Sequence, residues 1–278
     1  MTVGIVTGAA RGMGAACAKR FADLVDVLLV ADRDTAALGE TVEELAAGPT
    51  RAALEPIALD VAESADVDRL AARAAELGPL RAVAHAAGVS PTMGDWRQMF
   101  VVDLVGTALI VEACRPLATA GTAIVCFASM APLLAMAHAE VPADAVLDNP
   151  LGEGFLERIR EAVGPGLEDS GMAYTWAKRG VHRLVRREAA AFGQVGARIC
   201  SVSPGIIDTP MGKQEGAARS TNDLLVQMSP LGREGTADEV AAAVAFLVSE
   251  DGAFVTGIDL PVDGGIVAAI RSRGAMLT

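Results

Sequence analysis

The single tyrosine of this chain, Tyr174, stands four residues before Lys178, one of only three lysines, in the run Tyr174-Thr175-Trp176-Ala177-Lys178. With so few of either residue, chance rarely sets them one helical turn apart. On a helix, positions i and i+4 share a face. An ammonium beside a phenol favours the phenolate, lowering a pKa that starts near about 10 toward the range where the oxygen can trade protons at neutral pH. The pair is therefore a candidate proton-transfer device, with a surface aromatic beside a solvated lysine as the plainer alternative. A third polar residue, Ser129, follows an apolar run; taken alone, a serine in that position more often caps a turn.

A second chemistry is written at the N-terminus. The apolar run Val3 to Thr7 enters Thr7-Gly8-Ala9-Ala10-Arg11-Gly12-Met13-Gly14, and a helical pattern follows. A strand, a glycine-rich turn and a helix N-terminus together suit a pyrophosphate: backbone approaches closely where side chains are absent, and helix N–H groups point at the anion. The spacing is G-x-x-x-G-x-G rather than G-x-G-x-x-G. Asp32 ends the second apolar run, 18 residues after Gly14, where an acidic residue is expected against the adenosine ribose. A carboxylate there accepts hydrogen bonds from the ribose hydroxyls and repels a 2′-phosphate, which favours NAD over NADP. Arg11 and Arg33 weigh the other way, since either could approach a phosphate.

These residues need a scaffold. Strand-like runs fall at Val3–Thr7, Val27–Ala31, Ile57–Leu59, Ala82–His85, Ala123–Phe127, Arg198–Val202 and Ile258–Val262. Helical patterns lie between them at Met13–Leu24, Thr35–Ala47, Ala65–Leu77, Asp95–Ala118, Ala173–Phe192 and Ala237–Ser249. Strict alternation implies right-handed crossovers and a parallel sheet covered on both faces, so the expected fold is a single α/β domain over 1–278, a Rossmann-like doubly wound sheet of about seven strands. One segment, from about 131 to 171, breaks the rhythm with Pro132, Pro142 and Pro150, an amphipathic stretch Leu151–Val163 and a Gly-Pro-Gly turn at 164–166. It reads as an insertion with at most one helix, placed between two candidate catalytic residues.

Composition narrows the partners. A formal charge of −12 repels nucleic-acid backbones and anionic lipid surfaces, and the apolar stretch Val240–Val248 is far too short to span a bilayer. No basic region precedes an apolar one at the N-terminus, so a cytoplasmic protein is expected. The cysteines (17, 114, 126 and 200) and histidines (85, 138 and 182) show no ligand spacing, so no metal is expected.

Taken together, the chain resembles the short-chain dehydrogenase/reductase family. Thr7 to Gly14 resembles its T-G-x-x-x-G-x-G fingerprint and Tyr174 to Lys178 its Y-x-x-x-K motif. Asp60-Val61, Ala86-Ala87-Gly88, Ser129, Pro204-Gly205 with Thr209, and Asp263-Gly264-Gly265 follow in the family's order. The resemblance implies that Gly8, Gly12 and Gly14, flanked by Arg11 and Met13, wrap the pyrophosphate. Asp32, beside Arg33, would take the adenosine ribose, and Asp60 and Val61 the adenine, while Ala87 and Gly88 also border the cofactor. Lys178 would hold the nicotinamide ribose and bias Tyr174. The stretch Pro204, Gly205, Ile207 to Thr209 would cover the nicotinamide, and Ser129 would hydrogen-bond the substrate oxygen. Hydride would move between NAD and the carbinol carbon while Tyr174 handles the proton.

Two departures stand out. Asp103, in Val102-Asp103-Leu104-Val105-Gly106, replaces the family's usual Asn, which helps order a water in a proton relay; an ionised Asp accepts hydrogen bonds but donates none. His85 replaces a common Asn and reads as a hydrogen-bonded core residue. The 45-residue separation of Ser129 and Tyr174 resembles that of the bacterial 3α-hydroxysteroid dehydrogenase/carbonyl reductase branch, which also carries an insertion there. Met130, Leu133, Leu134, Met136 and Met172 suggest an adaptable apolar pocket for a hydrophobic secondary alcohol or ketone, steroid-like at its bulkiest. Helix pairing in the family implies a homodimer or homotetramer. Two alternatives stand beside the enzyme: a catalytically impaired NAD-binding regulatory protein, and a sugar-nucleotide epimerase, which the lack of a C-terminal substrate domain disfavours.

Overall fold

The computed structural model describes residues 1–135, 140–218 and 221–275. Seven strands form one parallel sheet: β1 (Val3–Thr7), β2 (Val27–Asp32), β3 (Ala53–Ala58), β4 (Leu80–His85), β5 (Ala123–Phe127), β6 (Arg198–Pro204) and β7 (Asp259–Val262). Their spatial order is β3-β2-β1-β4-β5-β6-β7, so the chain reverses direction across the sheet between β1 and β4. Such a reversal opens a crevice at the carboxyl ends of the strands. The central strands are buried on both faces, which is why they read as continuous apolar runs rather than alternating ones.

Helices cover both faces. Helices α1 (Gly12–Phe21), α2 (Thr35–Ala47) and α12 (Ala237–Val248) lie over one core that includes Val6, Phe21, Val30 and Val244. On the other face, α3 (Ser64–Leu77), α4 (Trp96–Phe100), α5 (Gly106–Cys114) and α9 (Ser170–Gln194) enclose Ile5, Phe100, Leu104, Val181 and Phe192. All four cysteines are buried free thiols, and burial pushes those of Cys17, Cys114 and Cys126 up to about 12.

Three expectations are corrected. Strand β3 starts at Ala53 and ends at Ala58, not Ile57–Leu59: it is an edge strand whose Pro56 forms no ladder on its free side and whose Glu55 is held by Nε and Nη2 of Arg73, so polar letters disguise it. The helix expected over Asp95–Ala118 is interrupted: between α4 and α5 a π turn spans Val101–Val105, and a 3₁₀ turn closes it at Arg115–Leu117. A π turn inserts one extra residue, and Asp103 sits at its centre. The insertion carries more than one helix, with α6 (Ala131–Ala135), α7 (Pro142–Leu147) and α8 (Phe155–Val163). Pro142 starts α7, where its missing N–H costs nothing.

The insertion is clasped by α9. Arg179 holds Asp144 through two bonds of 2.6 Å, and Arg183 holds Asp148 at 2.8 and 2.7 Å and Glu140 at 2.8 Å. Burial works against the Asp144 carboxylate, but Arg179, the Val141 N–H and Arg183 outweigh it and hold its pKa below the usual carboxylate value. Phe155 of α8 packs edge-on against Phe100 of α4 at 5.8 Å. Short helices α10 (Pro210–Ala218), α11 (Thr221–Met228) and α13 (Ile266–Ala275) complete the wall beyond β6 and β7.

Candidate active site

A cleft of about 500 Å³ opens over the carboxyl ends of the strands, on both sides of the β1/β4 reversal. At its floor, β1 turns into α1 through Gly8 to Gly14. A Cβ on Gly8 would meet the Ala87 N at 2.5 Å, and one on Gly14 would meet the Gly8 carbonyl at 2.0 Å, so both positions require glycine. No side chain caps α1 and no acidic residue stands in its first turn, which leaves its N–H groups facing the cleft. Gly12, Met13 and Arg11 line the same turn.

At the far end of this floor the Asp32 carboxylate is fixed from both sides. Oδ2 accepts from the Ala10 N at 3.0 Å and Oδ1 from the Asp34 N at 2.9 Å. Arg11 is paired with Asp34, a residue the sequence reading passed over, while Arg33 lines the cleft beside them. Asp60 and Val61, after β3, and Ala87 and Gly88, after β4, form the next part of the wall. Pro204, Gly205, Ile207 and Thr209 close it from beyond β6. These residues fit a dinucleotide: a side-chain-free turn at a helix N-terminus for phosphates, with a fixed carboxylate one strand away for vicinal hydroxyls.

Ser129, Tyr174 and Lys178 converge where β5 and α9 meet. Tyr174 is half-buried and lines the cleft, and the Lys178 Nζ lies 5.7 Å from the centre of its ring. Lys178 is 4% exposed. It donates to the Phe127 carbonyl at 3.0 Å and pairs with Asp103 Oδ1 at 3.3 Å, so two of its three donors are occupied and one is left for the cleft. Ser129, immediately after β5, accepts through Oγ from the Ala131 N at 3.2 Å.

Asp103 does not line the cleft but lies behind Gly88, where it is fully buried. Its Oδ1 also accepts from the Val89 N at 3.0 Å, and its Oδ2 has no hydrogen-bond partner among the described residues. Burial raises its pKa, with the Lys178 charge and the Val89 N–H pulling the other way. His85 bridges Thr7 Oγ1 at 2.8 Å and Thr107 Oγ1 at 3.1 Å, as a hydrogen-bonded core residue should. Burial and the nearby Lys178 charge push its pKa down to about 3, so it is neutral at working pH.

The apolar wall differs from the expected one. Met130 lines the cleft, but Leu133 and Leu134 pack with Ile266, Val267 and Ile270, and Met172 is exposed outside it. Met136 and His138 lie outside the described residues. The sequence reading missed Val89, Pro91, Met93, Ile206, Met211 and Leu225, together with the neutral polar Gln214 and Asn222. Met93 and Pro91 follow β4 in a loop with no periodicity to flag them. Among the described residues no group of three or more His, Cys, Asp or Glu could hold a metal, and no helix is long and apolar enough to cross a membrane.

This fold and site define a nicotinamide-dependent oxidoreductase of the doubly wound class. The chain belongs to the short-chain dehydrogenase/reductase family: a family model described as enoyl-(acyl carrier protein) reductase matches residues 8–145 and 162–267. It is 32% identical to the D-threitol dehydrogenase of Mycolicibacterium smegmatis over 95% of this chain and 92% of that protein. It is 30% identical to the cis-4-hydroxycyclohexanecarboxylate dehydrogenase of Sinomonas cyclohexanicum, covering 96% of each. A solved short-chain type dehydrogenase/reductase from Mycobacterium ulcerans shares the fold, with a TM-score of 0.76 at 22% identity over 96% of this chain and 90% of that one. The relatives are named as dehydrogenases acting on alcohols, and the chain is an oxidoreductase of that kind.

Proposed function

We propose that the protein is an NAD(H)-dependent alcohol dehydrogenase and ketone reductase acting on uncharged secondary alcohols with an apolar body. The observation that carries this reading is the pairing of two features in one cleft: the fixed carboxylate of Asp32, and Tyr174 with Lys178 on one face of α9 opposite Ser129.

The cofactor, when bound, supplies the hydride acceptor or donor. Every other task falls to the chain. The Gly8–Gly14 turn and the α1 N-terminus hold phosphate, Asp32 accepts from ribose hydroxyls, and the pairing of Arg11 with Asp34 leaves Arg11 less available to a 2′-phosphate. Lys178, anchored by Phe127 and Asp103, keeps a third N–H for the nicotinamide ribose. Its charge favours the phenolate of Tyr174, so the phenol oxygen takes the carbinol proton in oxidation and returns it in reduction. Ser129 Oγ donates to the substrate oxygen and steadies the charge that develops there.

The substrate end supports the choice of class. Pro91, Met93, Met130, Ile206, Met211 and Leu225 offer a mostly flexible apolar surface, and Gln214 and Asn222 offer neutral polar atoms. A ring-sized alcohol fits this reading, with a steroid-like skeleton at the bulky extreme. Four buried free thiols suit the reducing cytoplasm. The resemblance implies two subunit contacts, made by the helices that begin near Asp95 and that carry Tyr174; the helices of the insertion lie over α4 and α9 and block one of them, so a homodimer rather than a homotetramer follows.

Following NADH absorbance across threitol, substituted cyclohexanols and hydroxysteroids tests the reading. Turnover of substituted cyclohexanols or hydroxysteroids, above that of the wholly polar threitol, is expected. Measurable NADH binding with silence across the panel would overturn it.

A further inference from the structure

Helix α9 presents a third residue on its inner face: Tyr174, Lys178 and His182 follow at steps of four. His182 is 6% exposed and makes no contact that the chemistry described above uses. Its Nε2 lies 2.9 Å from Ser203 Oγ on β6 and 3.4 Å from Asp259 Oδ1 on β7. Ser203 is fully buried, and its Oγ lies 3.0 Å from the carbonyl oxygen of Ser129 and 2.9 Å from Asp259 Oδ1. Ser201 Oγ donates to the same Asp259 oxygen at 2.7 Å.

Counting protons orders this cluster. A bare Nε2 lone pair would face a carboxylate, so Nε2 carries the hydrogen and donates to Ser203 Oγ. The one hydroxyl proton of Ser203 is then free to go to the Ser129 carbonyl, because Ser201 already supplies Asp259. The result is a directional chain, His182 Nε2–H to Ser203 O–H to Ser129 C=O, with Asp259 fixing the tautomer. A hydrolytic triad is excluded, since that arrangement needs the carboxylate and the hydroxyl on opposite ring nitrogens, and here both meet Nε2.

We propose that His182 is a positioning residue: through Ser203 it holds the Ser129 carbonyl, and so fixes the turn that aims the Ser129 hydroxyl at the substrate oxygen. This rests on the dehydrogenase reading for the role of Ser129. Two features favour it over a purely structural cluster. Apolar residues would fill the space between α9, β6 and β7 more cheaply, yet Asp259 is kept there with no hydrogen-bond partner for Oδ2 among the described residues. The chain also ends on the backbone of the one polar residue that faces the substrate from β5. The competing view is that backbone bonds alone, Ala128 N to Val202 O at 2.8 Å and Met130 N to Pro204 O at 3.3 Å, hold the turn.

The test compares wild type with His182→Leu, His182→Gln and Ser203→Ala. Gln places a side-chain N–H near the position of Nε2, and Ser203→Ala removes one small hydroxyl, so folding is preserved even where Leu disturbs it. We expect kcat to fall about tenfold in His182→Leu and Ser203→Ala, the size of one lost supporting hydrogen bond, with KM for NADH within about twofold and with recovery in His182→Gln. Hydrogen exchange of the segment 127–135 should quicken in the first two variants and return toward wild type in the third. Unchanged exchange in Ser203→Ala overturns the proposal whether or not a substrate has been found, as does unchanged kcat once one has. Wild-type silence on every alcohol would instead strike at the dehydrogenase reading.

Discussion

Lys178 Nζ stands 3.3 Å from Asp103 Oδ1, and both side chains are buried. An ionised carboxylate so placed offsets the ammonium charge that would otherwise stabilise a phenolate on Tyr174. Asp103→Asn should therefore lower the Tyr174 pKa and move the alkaline rise of alcohol oxidation to lower pH. A pH series of kcat/KM for both proteins decides it, and coincident profiles would mean that Asp103 does not act on the tyrosine through charge.

Tyr174→Phe removes the proton-transfer oxygen and leaves Lys178 its bonds to Phe127 and Asp103. Turnover should fall by about 10² or more. Fluorescence titration with NADH should give nearly the wild-type affinity. Retained turnover would show that another group moves the proton.

The Asp32 carboxylate is held by the Ala10 and Asp34 N–H groups and cannot swing away from an incoming 2′-phosphate. Wild type should favour NAD strongly, and Asp32→Ala should narrow the preference, mainly by weakening NAD. Equal kcat/KM for NAD and NADP in wild type would contradict this.

Asp144 is 1% exposed and doubly bonded to Arg179, so Asp144→Asn leaves a partly buried guanidinium short of its counter-charge. The loss should be about 3 kcal/mol in a denaturant titration. Because the folded carboxyl has a depressed pKa, its contribution is full above the unfolded value near about 4 and fades as pH falls through the folded value. The acid limb of wild-type stability should thus be steeper than that of the variant. Parallel limbs would remove Asp144 from the account.

Helices α7 and α8 lie against α9 and α4, where the family resemblance implies a pairing surface. Light scattering should report a dimer. A stable tetramer would show that the insertion does not block that contact.

The sheet was legible because its central strands are buried on both faces and its helices keep their period, so Val27–Ala31 and Thr35–Ala47 announce themselves. β3 was not, because an edge strand can carry Glu55 and Pro56, letters that ordinarily mark a loop. The π turn at Val101–Val105 left no mark either: its residues continue the apolar pattern of a straight helix, and only three-dimensional packing reveals the added residue. Gly8, Asp32, Ser129, Tyr174 and Lys178, singled out in the sequence by residue type and spacing, are brought by the fold to one cleft. Met93 and Leu225 were not singled out, since any apolar side chain serves there and spatial convergence alone selects them.

The outer face of α9 has a bearing on engineering. Its arginines at 179 and 183 are matched to carboxylates that belong to the insertion, while Tyr174, Lys178 and His182 look inward from the same helix. Grafting a foreign insertion onto this fold would cost those arginines these ion pairs unless the graft brought carboxylates in the places of Asp144 and Asp148. The insertion and helix α9 must therefore be exchanged as one cassette.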